Sequence, residues 1–290
     1  GMKHLIVGPD GHGVTEYALG LARATGADVI REEAFTDAPL PDEPIHVTFT
    51  DHLFGDTAKT LLKRLGPRPF SVSLHDIPQP EEGRERYERR AEIYRELADA
   101  AALAVVNSRH EARFFGGAVP SIYLPIPVID SPFNPEPGTV GVLGFLYPGK
   151  GHEDLIAALP DHRLRFLGAV SKGHEKWAEN LDAEITGWLS DAQLAREMGR
   201  IAVPVCPHRH FSASGSLMAW LGAGRTVLVR DSDYAREIDA WLPGRLTLVG
   251  GGGWRDAVDT HEPRPVAPPA YGWAEVAEQW EEQWRFAGLT

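Results

Sequence analysis

Short apolar runs alternate along the chain with segments that repeat apolar residues at helical spacing. The short runs are typical of buried strands and the periodic segments of helices packed on a sheet. The predicted strands are residues 3–7, 28–31, 45–49, 70–74, 122–124, 141–145, 164–167, 185–188, 203–206, 226–229 and 246–249. The predicted helices are residues 15–24, 57–65, 81–104, 152–159, 176–181, 191–200 and 273–286.

This alternation occurs twice, on either side of a proline-rich stretch. Residues 125–137 contain five prolines, which is typical of a domain boundary. Strands that alternate with helices in both halves predict an α/β protein with two Rossmann-like domains and mainly parallel sheets. We predict domains at 1–130 and 138–270. The last helix, 271–290, carries a tryptophan stripe and is expected to pack back across the domain junction.

Composition narrows the class of protein. The 290 residues are 43% hydrophobic and 24% charged, as in soluble globular proteins. The net charge of −12 argues against a nucleic-acid partner. The single cysteine, Cys206, cannot form an intrachain disulfide, which fits a reducing compartment. Without a signal peptide or an apolar run of about 18 residues, we predict a cytoplasmic protein without a transmembrane segment. Peripheral membrane contact stays open.

Two groups of polar residues follow predicted strands in the first half. Gly11, His12 and Gly13 lie in a glycine-rich turn after the first strand, where backbone can meet a substrate. Their spacing does not match the dinucleotide fingerprint, so no NAD site is predicted. His75 and Asp76 follow the strand at 70–74. Ligands of open α/β sheets bind outside the carboxyl ends of strands, which makes both residues site candidates.

Residues 203–229 predict a strand, a polar loop, a helix and a further strand. The helix begins at Ser214, Gly215 and Ser216. The first amides of a helix carry partial positive charge and attract phosphate, and Gly215 allows close approach. An ordinary serine N-cap is the alternative interpretation of the same residues.

The order of these segments resembles the GT-B fold, in which two such domains face a central cleft. The second half resembles the donor-binding domain of the family 4 retaining glycosyltransferases. The matching segments are Gly144-Phe145, Lys150-Gly151 before a helix, Gly187-Trp188-Leu189, Pro207, Ser214-Gly215-Ser216 and Gly224-Arg225-Thr226-Val227, with His75-Asp76 and Asn107-Ser108 in the first half.

The sequence departs from that family at charged positions. The family has two acidic residues eight apart, and these positions fall on Phe211 and Ala219; its arginine falls on Phe145. Arg209 is a candidate replacement for the lost cation. Glu237, on the next helix, is a candidate for the nucleoside hydroxyls.

The resemblance implies a glycosyltransferase that uses a nucleotide-diphosphate sugar, UDP- or GDP-linked, without a cofactor or metal. It implies diphosphate binding by Lys150, Arg209, Ser214, Gly215 and Ser216. Nucleoside binding would fall to Gly187, Trp188, Leu189 and Glu237. His75 and Asp76 would be catalytic, and Gly11, His12 and Gly13 would border an unknown glycan, lipid or small-molecule acceptor. A nucleotide-sugar epimerase and a catalytically degenerate binding protein remain alternatives.

Overall fold

The computed structural model describes residues 2–210 and 213–290. Phe211, one of the two positions where the family has an acid, therefore lies outside the described residues. The chain forms two α/β units. The first contains residues up to Pro125 together with Tyr271–Thr290, and the second contains Ile126–Ala270. Each unit has its own parallel sheet, which confirms the predicted fold class.

The sheet of the first unit has the order β2-β1-β3-β4-β5, with every pair parallel. Its strands are β1 (Lys3–Val7), β2 (Val29–Glu32), β3 (Ile45–Phe49), β4 (Phe70–Leu74) and β5 (Leu103–Val105). Its helices are α1 (Gly13–Thr25), α2 (Lys59–Leu65), α3 (Arg84–Ala100), α4 (Arg109–Ala112) and, from the end of the chain, α11 (Trp273–Phe286). Short 3-10 turns lie at Asp51–Phe54, Pro80–Glu82 and Arg113–Phe115.

The sheet of the second unit has the order β11-β10-β9-β6-β7-β8, again all parallel. Its strands are β6 (Glu136–Leu143), β7 (Arg163–Leu167), β8 (Glu184–Ile185), β9 (Ile201–Cys206), β10 (Val227–Arg230) and β11 (Leu246–Val249). Its helices are α5 (His152–Ala158), α6 (Glu175–Glu179), α7 (Asp191–Arg200), α8 (Gly215–Gly222), α9 (Asp233–Trp241) and α10 (Trp254–Thr260).

The central strands of both sheets are buried because helices cover them, whereas the edge strands β2 and β8 are partly exposed. β3 and β4 of the first unit and β9 of the second are buried along their whole length. Continuous apolar runs such as Ile201–Cys206 suit strands covered on both faces, which is why such strands can be predicted from the sequence.

The C-terminal helix α11 packs on the first unit. Trp280 is fully buried, and its indole Nε1 donates to the hydroxyl of Tyr17 at 3.0 Å. Trp284 Nε1 donates to Ser71 Oγ at 3.0 Å. A Cβ on Gly20 would lie 2.3 Å from the ring of Trp273, so glycine lets α1 approach α11 closely. The chain thus returns to its first unit after completing the second.

Several predicted elements differ in the structure; the strand expected at 185–188, for example, is the two-residue β8 (Glu184–Ile185). The helix expected at 81–104 ends at Ala100, and Ala101 has extended backbone that leads into β5. The run at 122–124 forms no strand; Ser121 makes only an isolated bridge with Val106. Short apolar runs do not by themselves distinguish a helix end from a strand, so tertiary pairing decided the last two cases. No described helix is long and apolar enough to cross a bilayer.

Candidate functional site

The strand order of the second unit creates a switch point between β6 and β9. From β6 the chain continues outward through β7 to β8, and from β9 it continues in the opposite direction through β10 to β11. Connections leaving the carboxyl ends of these two strands diverge, and the crevice between them is the usual ligand position of an open α/β sheet. The segment 144–151 follows β6, and the segment 207–216 follows β9.

Lys150 and Ser216 meet at this switch point, beside Gly144. Gly144 has φ +117°, and a Cβ built on it would lie 3.0 Å from both Lys150 Nζ and Ser216 Oγ. The ammonium donates to the carbonyl of Phe145 at 2.7 Å, and the hydroxyl donates to the carbonyl of Leu143 at 3.0 Å. The structure therefore brings the predicted cation and the predicted helix start together around a space that only glycine leaves open.

Burial changes the acidity of the Lys150 ammonium. Because desolvation penalises the charged form, its pKa is lowered to about 8. The neighbouring thiol of Cys206 is fully buried, and burial raises its pKa to about 12. A half-buried ammonium that has lost solvation gains from an anionic ligand, since the ligand favours the charged form.

The two loops at the switch point are tied together by backbone contacts. Gly151 has φ +129°, and a Cβ there would lie 2.2 Å from the carbonyl oxygen of Pro207. The amide of Arg209 donates to the carbonyl of Lys150 at 3.1 Å. The Lys-Gly motif thus has two separable parts: the lysine faces the site, and the glycine admits the neighbouring loop.

Helix α8 begins with its N-cap at Ser214. The hydroxyl of Ser214 accepts from the amide of Leu217 at 3.1 Å, and the amide of Ser214 donates to the hydroxyl of Tyr234 at 3.2 Å. Ser214 is therefore occupied in capping, as the alternative interpretation expected. The amides of Gly215 and Ser216, in the first turn, have no intrahelical acceptor by geometry and carry the positive end of the helix dipole.

Arg209 lies against a carboxylate. Its Nε and Nη2 donate to the two oxygens of Asp154 at 2.7 and 2.6 Å, and Arg230 Nη2 donates to the same carboxylate at 2.8 Å. The guanidinium of Arg209 lowers the pKa of Asp154. In this arrangement the charge of Arg209 is paired with Asp154, whereas the ammonium of Lys150 lies beside Gly144. Ala219, the other position where the family has an acid, is half-buried within α8.

The residues predicted to bind the nucleoside lie on both sides of the switch point. Gly187, Trp188 and Leu189 follow β8, two strands from β6 and so roughly 10 Å away. Gly187 has φ +73°, and the indole of Trp188 is 77% exposed. Glu237 is half-buried in α9, one turn after Tyr234, on the β10 side. The structure does not bring Glu237 and Trp188 together.

The first unit has its own switch point, between β1 and β3. The predicted loop residues follow β1. Gly11 has φ +86° and donates its amide to Glu16 at 2.8 Å. Gly13 is the first residue of α1, and His12 is its N-cap, where Nδ1 accepts from the amide of Val14 at 3.2 Å.

Hydrogen bonds connect three strand ends at this edge. His12 Nε2 lies 2.9 Å from Nε2 of His52, which follows β3. His52 Nδ1 lies 3.3 Å from the hydroxyl of Thr50, and that hydroxyl donates to Asp76 Oδ2 at 2.6 Å. Asp76 follows β4. We call His12, His52, Thr50 and Asp76 the strand-end chain.

Arg90 and Tyr94, two residues of α3, hold the segments that follow β3 and β4. Arg90 is buried, donates to Asp51 Oδ2 at 2.8 Å, and also contacts Glu82 and the carbonyl of Asp76. The hydroxyl of Tyr94 donates to the carbonyl of His75 and accepts from the amide of Asp51 at 3.3 Å. Asp76 itself has φ +56°, an uncommon conformation for a residue with a side chain. Such backbone persists where the surroundings impose it, often at functional sites.

His75 is placed differently from Asp76. Its ring is buried, packs against Tyr17 at 4.7 Å between centroids, and pairs through Nε2 with Ser73 Oγ at 2.8 Å. Burial lowers its pKa to about 4, so the imidazole is neutral at physiological pH. Asp76 is exposed, and within the strand-end chain its carboxylate accepts from the hydroxyl of Thr50. The predicted catalytic pair thus separates into one buried and one exposed residue.

Thr50 and His52 were not predicted from the sequence. Both directly follow the predicted strand at 45–49, so the rule that placed His75 and Asp76 applies to them equally. Among residues 2–210 and 213–290, no group of three or more His, Cys, Asp and Glu side chains could hold a metal ion.

Comparisons with known proteins agree with this architecture. The sequence matches no protein-family profile and no curated protein. Solved structures do match. An α,α-trehalose-phosphate synthase (UDP-forming) from Burkholderia vietnamiensis aligns with a TM-score of 0.65 at 11% identity, over 100% of this chain and 97% of that one.

Two further structures give the same result. A sucrose-phosphate synthase from Thermosynechococcus elongatus aligns with a TM-score of 0.64 at 13% identity, over 99% of this chain and 100% of that one. The lipopolysaccharide outer core galactosyltransferase WaaB aligns with a TM-score of 0.61 at 12% identity, over 99% of both chains. The chain therefore has the fold of the GT-B glycosyltransferases.

Proposed function

We propose that this protein is a glycosyltransferase that moves a sugar from a nucleotide-diphosphate donor to a hydroxyl acceptor, without a metal. The observation that carries the proposal is the convergence of Lys150 Nζ and Ser216 Oγ on the space above Gly144. A lysine, a hydroxyl and the start of α8 at a sheet switch point form a site suited to a diphosphate.

The chemistry of transfer requires fixed positive charge at that place. When the glycosidic bond of the donor breaks, negative charge develops on the departing diphosphate oxygens. Lys150 supplies a point charge, and the amides of Gly215 and Ser216 supply oriented donors. One such donor is typically worth about 3–4 kcal/mol of transition-state stabilisation. Arg209 stays a candidate diphosphate ligand, provided that it leaves Asp154.

The proposed nucleoside ligands lie farther out along the sheet of the second unit than the diphosphate site. The exposed indole of Trp188, with Gly187 and Leu189, offers a stacking surface for the base about two strands away. Glu237 is proposed as a ligand of a nucleoside hydroxyl. The first unit supplies the acceptor side through Gly11, His12 and Gly13, with His75 and Asp76 beside them. UDP and GDP are the nucleotides to test first.

The test is ligand-induced thermal stabilisation by UDP, GDP and their sugar conjugates. A ligand at about 100 times its dissociation constant stabilises by nearly 3 kcal/mol, which a melting curve resolves. We expect Lys150→Met, which keeps the aliphatic bulk and removes the charge, to weaken diphosphates by at least about tenfold while nucleosides bind as before. Lys172→Met, at an exposed lysine of the same unit, is the matched control.

The pH dependence of binding provides a second readout. An anion beside Lys150 raises the pKa of the ammonium above its value of about 8 in the unliganded protein. Affinity for UDP should therefore be constant between about pH 7 and pH 8, where the terminal phosphate is already almost fully ionised (its second pKa is about 6), and fall as pH rises above 8. Equal loss of nucleoside and diphosphate binding in Lys150→Met would remove Lys150 from this role. No stabilisation by any nucleotide would contradict the proposed function as a whole.

A further inference from the structure

The strand-end chain of the first unit has a fixed direction of hydrogen bonding. At one end, His12 Nδ1 accepts from the amide of Val14, so that nitrogen carries no proton. A neutral His12 must then carry its proton on Nε2 and donate it to Nε2 of His52. At the other end, the only hydroxyl proton of Thr50 is donated to the carboxylate of Asp76.

The hydrogen bonds at the two ends of the strand-end chain determine which ring nitrogen of His52 carries the proton. Its Nε2 accepts from His12, and its Nδ1 must donate to the hydroxyl of Thr50, which has no proton left to give in return. His52 is therefore held as the Nδ1–H tautomer with a lone pair on Nε2. In catalytic triads a carboxylate holds a histidine base in this tautomer directly, whereas here Thr50 stands between His52 and Asp76.

We propose that His52 is the general base that removes the proton from the acceptor hydroxyl, an assignment that rests on the proposed glycosyltransferase function. The two imidazoles are hydrogen-bonded directly at 2.9 Å, so they must separate to admit the hydroxyl, which then donates to His52 Nε2 and accepts from His12 Nε2–H. His52 takes the proton as the acceptor oxygen bonds to the anomeric carbon of the donor. The bond from that carbon to the diphosphate oxygen breaks, and its electron pair leaves with the diphosphate.

The surroundings of His52 fit this role. The His52 side chain is exposed and can meet a substrate, whereas Thr50 behind it is fully buried. The imidazolium formed by proton transfer is stabilised through Thr50 by the Asp76 carboxylate. Tyr94 holds the backbone at Asp51 and His75, and Arg90 holds the carboxylate of Asp51 and the carbonyl of Asp76. The loops that carry the chain are thus fixed before substrate arrives, and only the His12 and His52 rings have to separate.

The tautomer of His52 tests the hydrogen-bond chain without any substrate. Two-bond ¹H–¹⁵N spectra of the full chain should show His52 as Nδ1–H and His12 as Nε2–H. Free histidine prefers the Nε2–H form, so the Nδ1–H form expected for His52 differs from that of an unconstrained histidine. Thr50→Val removes the bridging hydroxyl and should release His52 to the common tautomer, while Thr50→Ser should keep the wild-type spectrum. An Nε2–H form of His52 in the wild type overturns the assignment.

Turnover tests the catalytic role. UDP-glucose, UDP-N-acetylglucosamine and GDP-mannose are supplied with water or glycerol as the acceptor, and release of UDP or GDP is measured. His52→Gln should lower release by about 10²- to 10⁴-fold, the usual contribution of a general base, and added imidazole should restore part of it. Thr50→Val should lower release about tenfold. His174→Gln, at an exposed histidine of the second unit, should leave it unchanged.

The outcomes separate this assignment from the function on which it rests. If His52→Gln keeps wild-type release, the general base is elsewhere and the assignment is wrong, while donor binding by Lys150 stands. If His52→Gln loses nucleotide binding as well as release, His52 is structural and the assignment is again wrong. If the wild-type chain releases no nucleotide from any of these donors, the proposed function and the assignment fail together.

Discussion

At the scale of the residue, two glycines at the switch point of the second unit shape the proposed diphosphate site as much as its polar groups do. Gly144 and Gly151 both have left-handed backbone, yet they face different neighbours. A side chain on Gly144 would meet the groups proposed to bind diphosphate. One on Gly151 would collide with the backbone of Pro207. The first glycine therefore leaves room beside Lys150 and Ser216, where we propose that the diphosphate binds, and the second admits the neighbouring loop.

This difference gives a test of the diphosphate site that leaves every charge in place. Gly144→Ala adds a methyl group 3.0 Å from Lys150 Nζ and Ser216 Oγ, and we expect it to weaken UDP binding at least tenfold (about 1.4 kcal/mol). Gly173→Ala is the control, because Gly173 has φ +91° but no atom within 4 Å of the added Cβ. Calorimetric titration with UDP measures both. If both variants lose similar affinity for UDP, backbone strain rather than the added methyl group at the site explains the effect.

At the scale of the element, α11 shows how an amphipathic pattern becomes a specific contact. The tryptophan stripe predicted a packing helix, and periodicity located its ends at Trp273 and Phe286. It could not identify the surface that the helix covers. That surface includes Tyr17 on α1 and Ser71 on β4, which supply the oxygen acceptors for two buried indole N–H groups. A buried indole needs such a partner, and only the folded sheet provides one.

We expect Trp280→Phe to destabilise the protein by roughly 2–3 kcal/mol. The change removes buried volume and leaves the hydroxyl of Tyr17 without its donor. Burial already raises the pKa of Tyr17 to about 12. Phe286→Ala, at a ring 81% exposed on the same helix, should change stability by less than about 0.5 kcal/mol. Differential scanning calorimetry compares the two. A Trp280→Phe melting profile equal to that of wild type would show that α11 contributes little to stability.

At the scale of the whole molecule, buried neutral histidines make both units sensitive to acid. Burial lowers the pKa of His4 and His75 to about 4 in the first unit, and that of His152 and His208 to about 3 in the second. In the unfolded chain histidine titrates near 6.5. Below pH 6.5 the unfolded state therefore binds more protons than the folded state, and stability falls as pH decreases.

The size of this effect at pH 5 follows from the same values. At pH 5 the pH is about 1.5 units below the histidine pKa of the unfolded chain. At about 1.4 kcal/mol per unit, each of these histidines then lowers the free energy of unfolding by about 2 kcal/mol. Urea unfolding at pH 7 and pH 5 should show a loss of several kcal/mol. His152→Leu should recover about 2 kcal/mol of it, and His174→Gln none. A wild-type stability equal at the two pH values would mean that these histidines become protonated without unfolding.

Much of the architecture could be predicted from the sequence because it depends on local pattern. Short segments rich in apolar residues located β1, β3, β4 and β11, and helical periodicity located α7 and α11. Side-chain period and burial are linked directly, so such segments can be recognised without tertiary information. The same reasoning placed Lys150 and the start of α8 after neighbouring strands. It could not show that both groups border the space above Gly144, since residues 144 and 216 meet only when β6 pairs with β9.

The tertiary structure alone decided which polar groups are free to act. From the sequence, Lys150 and Ser214 were candidates for binding phosphate, and Arg209 was a candidate replacement for a lost cation. In the fold, Arg209 pairs with Asp154 and Ser214 caps α8, whereas Lys150 is held beside an open space. Likewise, His75 was visible after a predicted strand, but the hydrogen bonds from His12 through His52 and Thr50 to Asp76 join three separate strand ends. Hydrogen-bond partners depend on positions in space, and pattern along the chain determines only which residues lie near the carboxyl edge of a sheet.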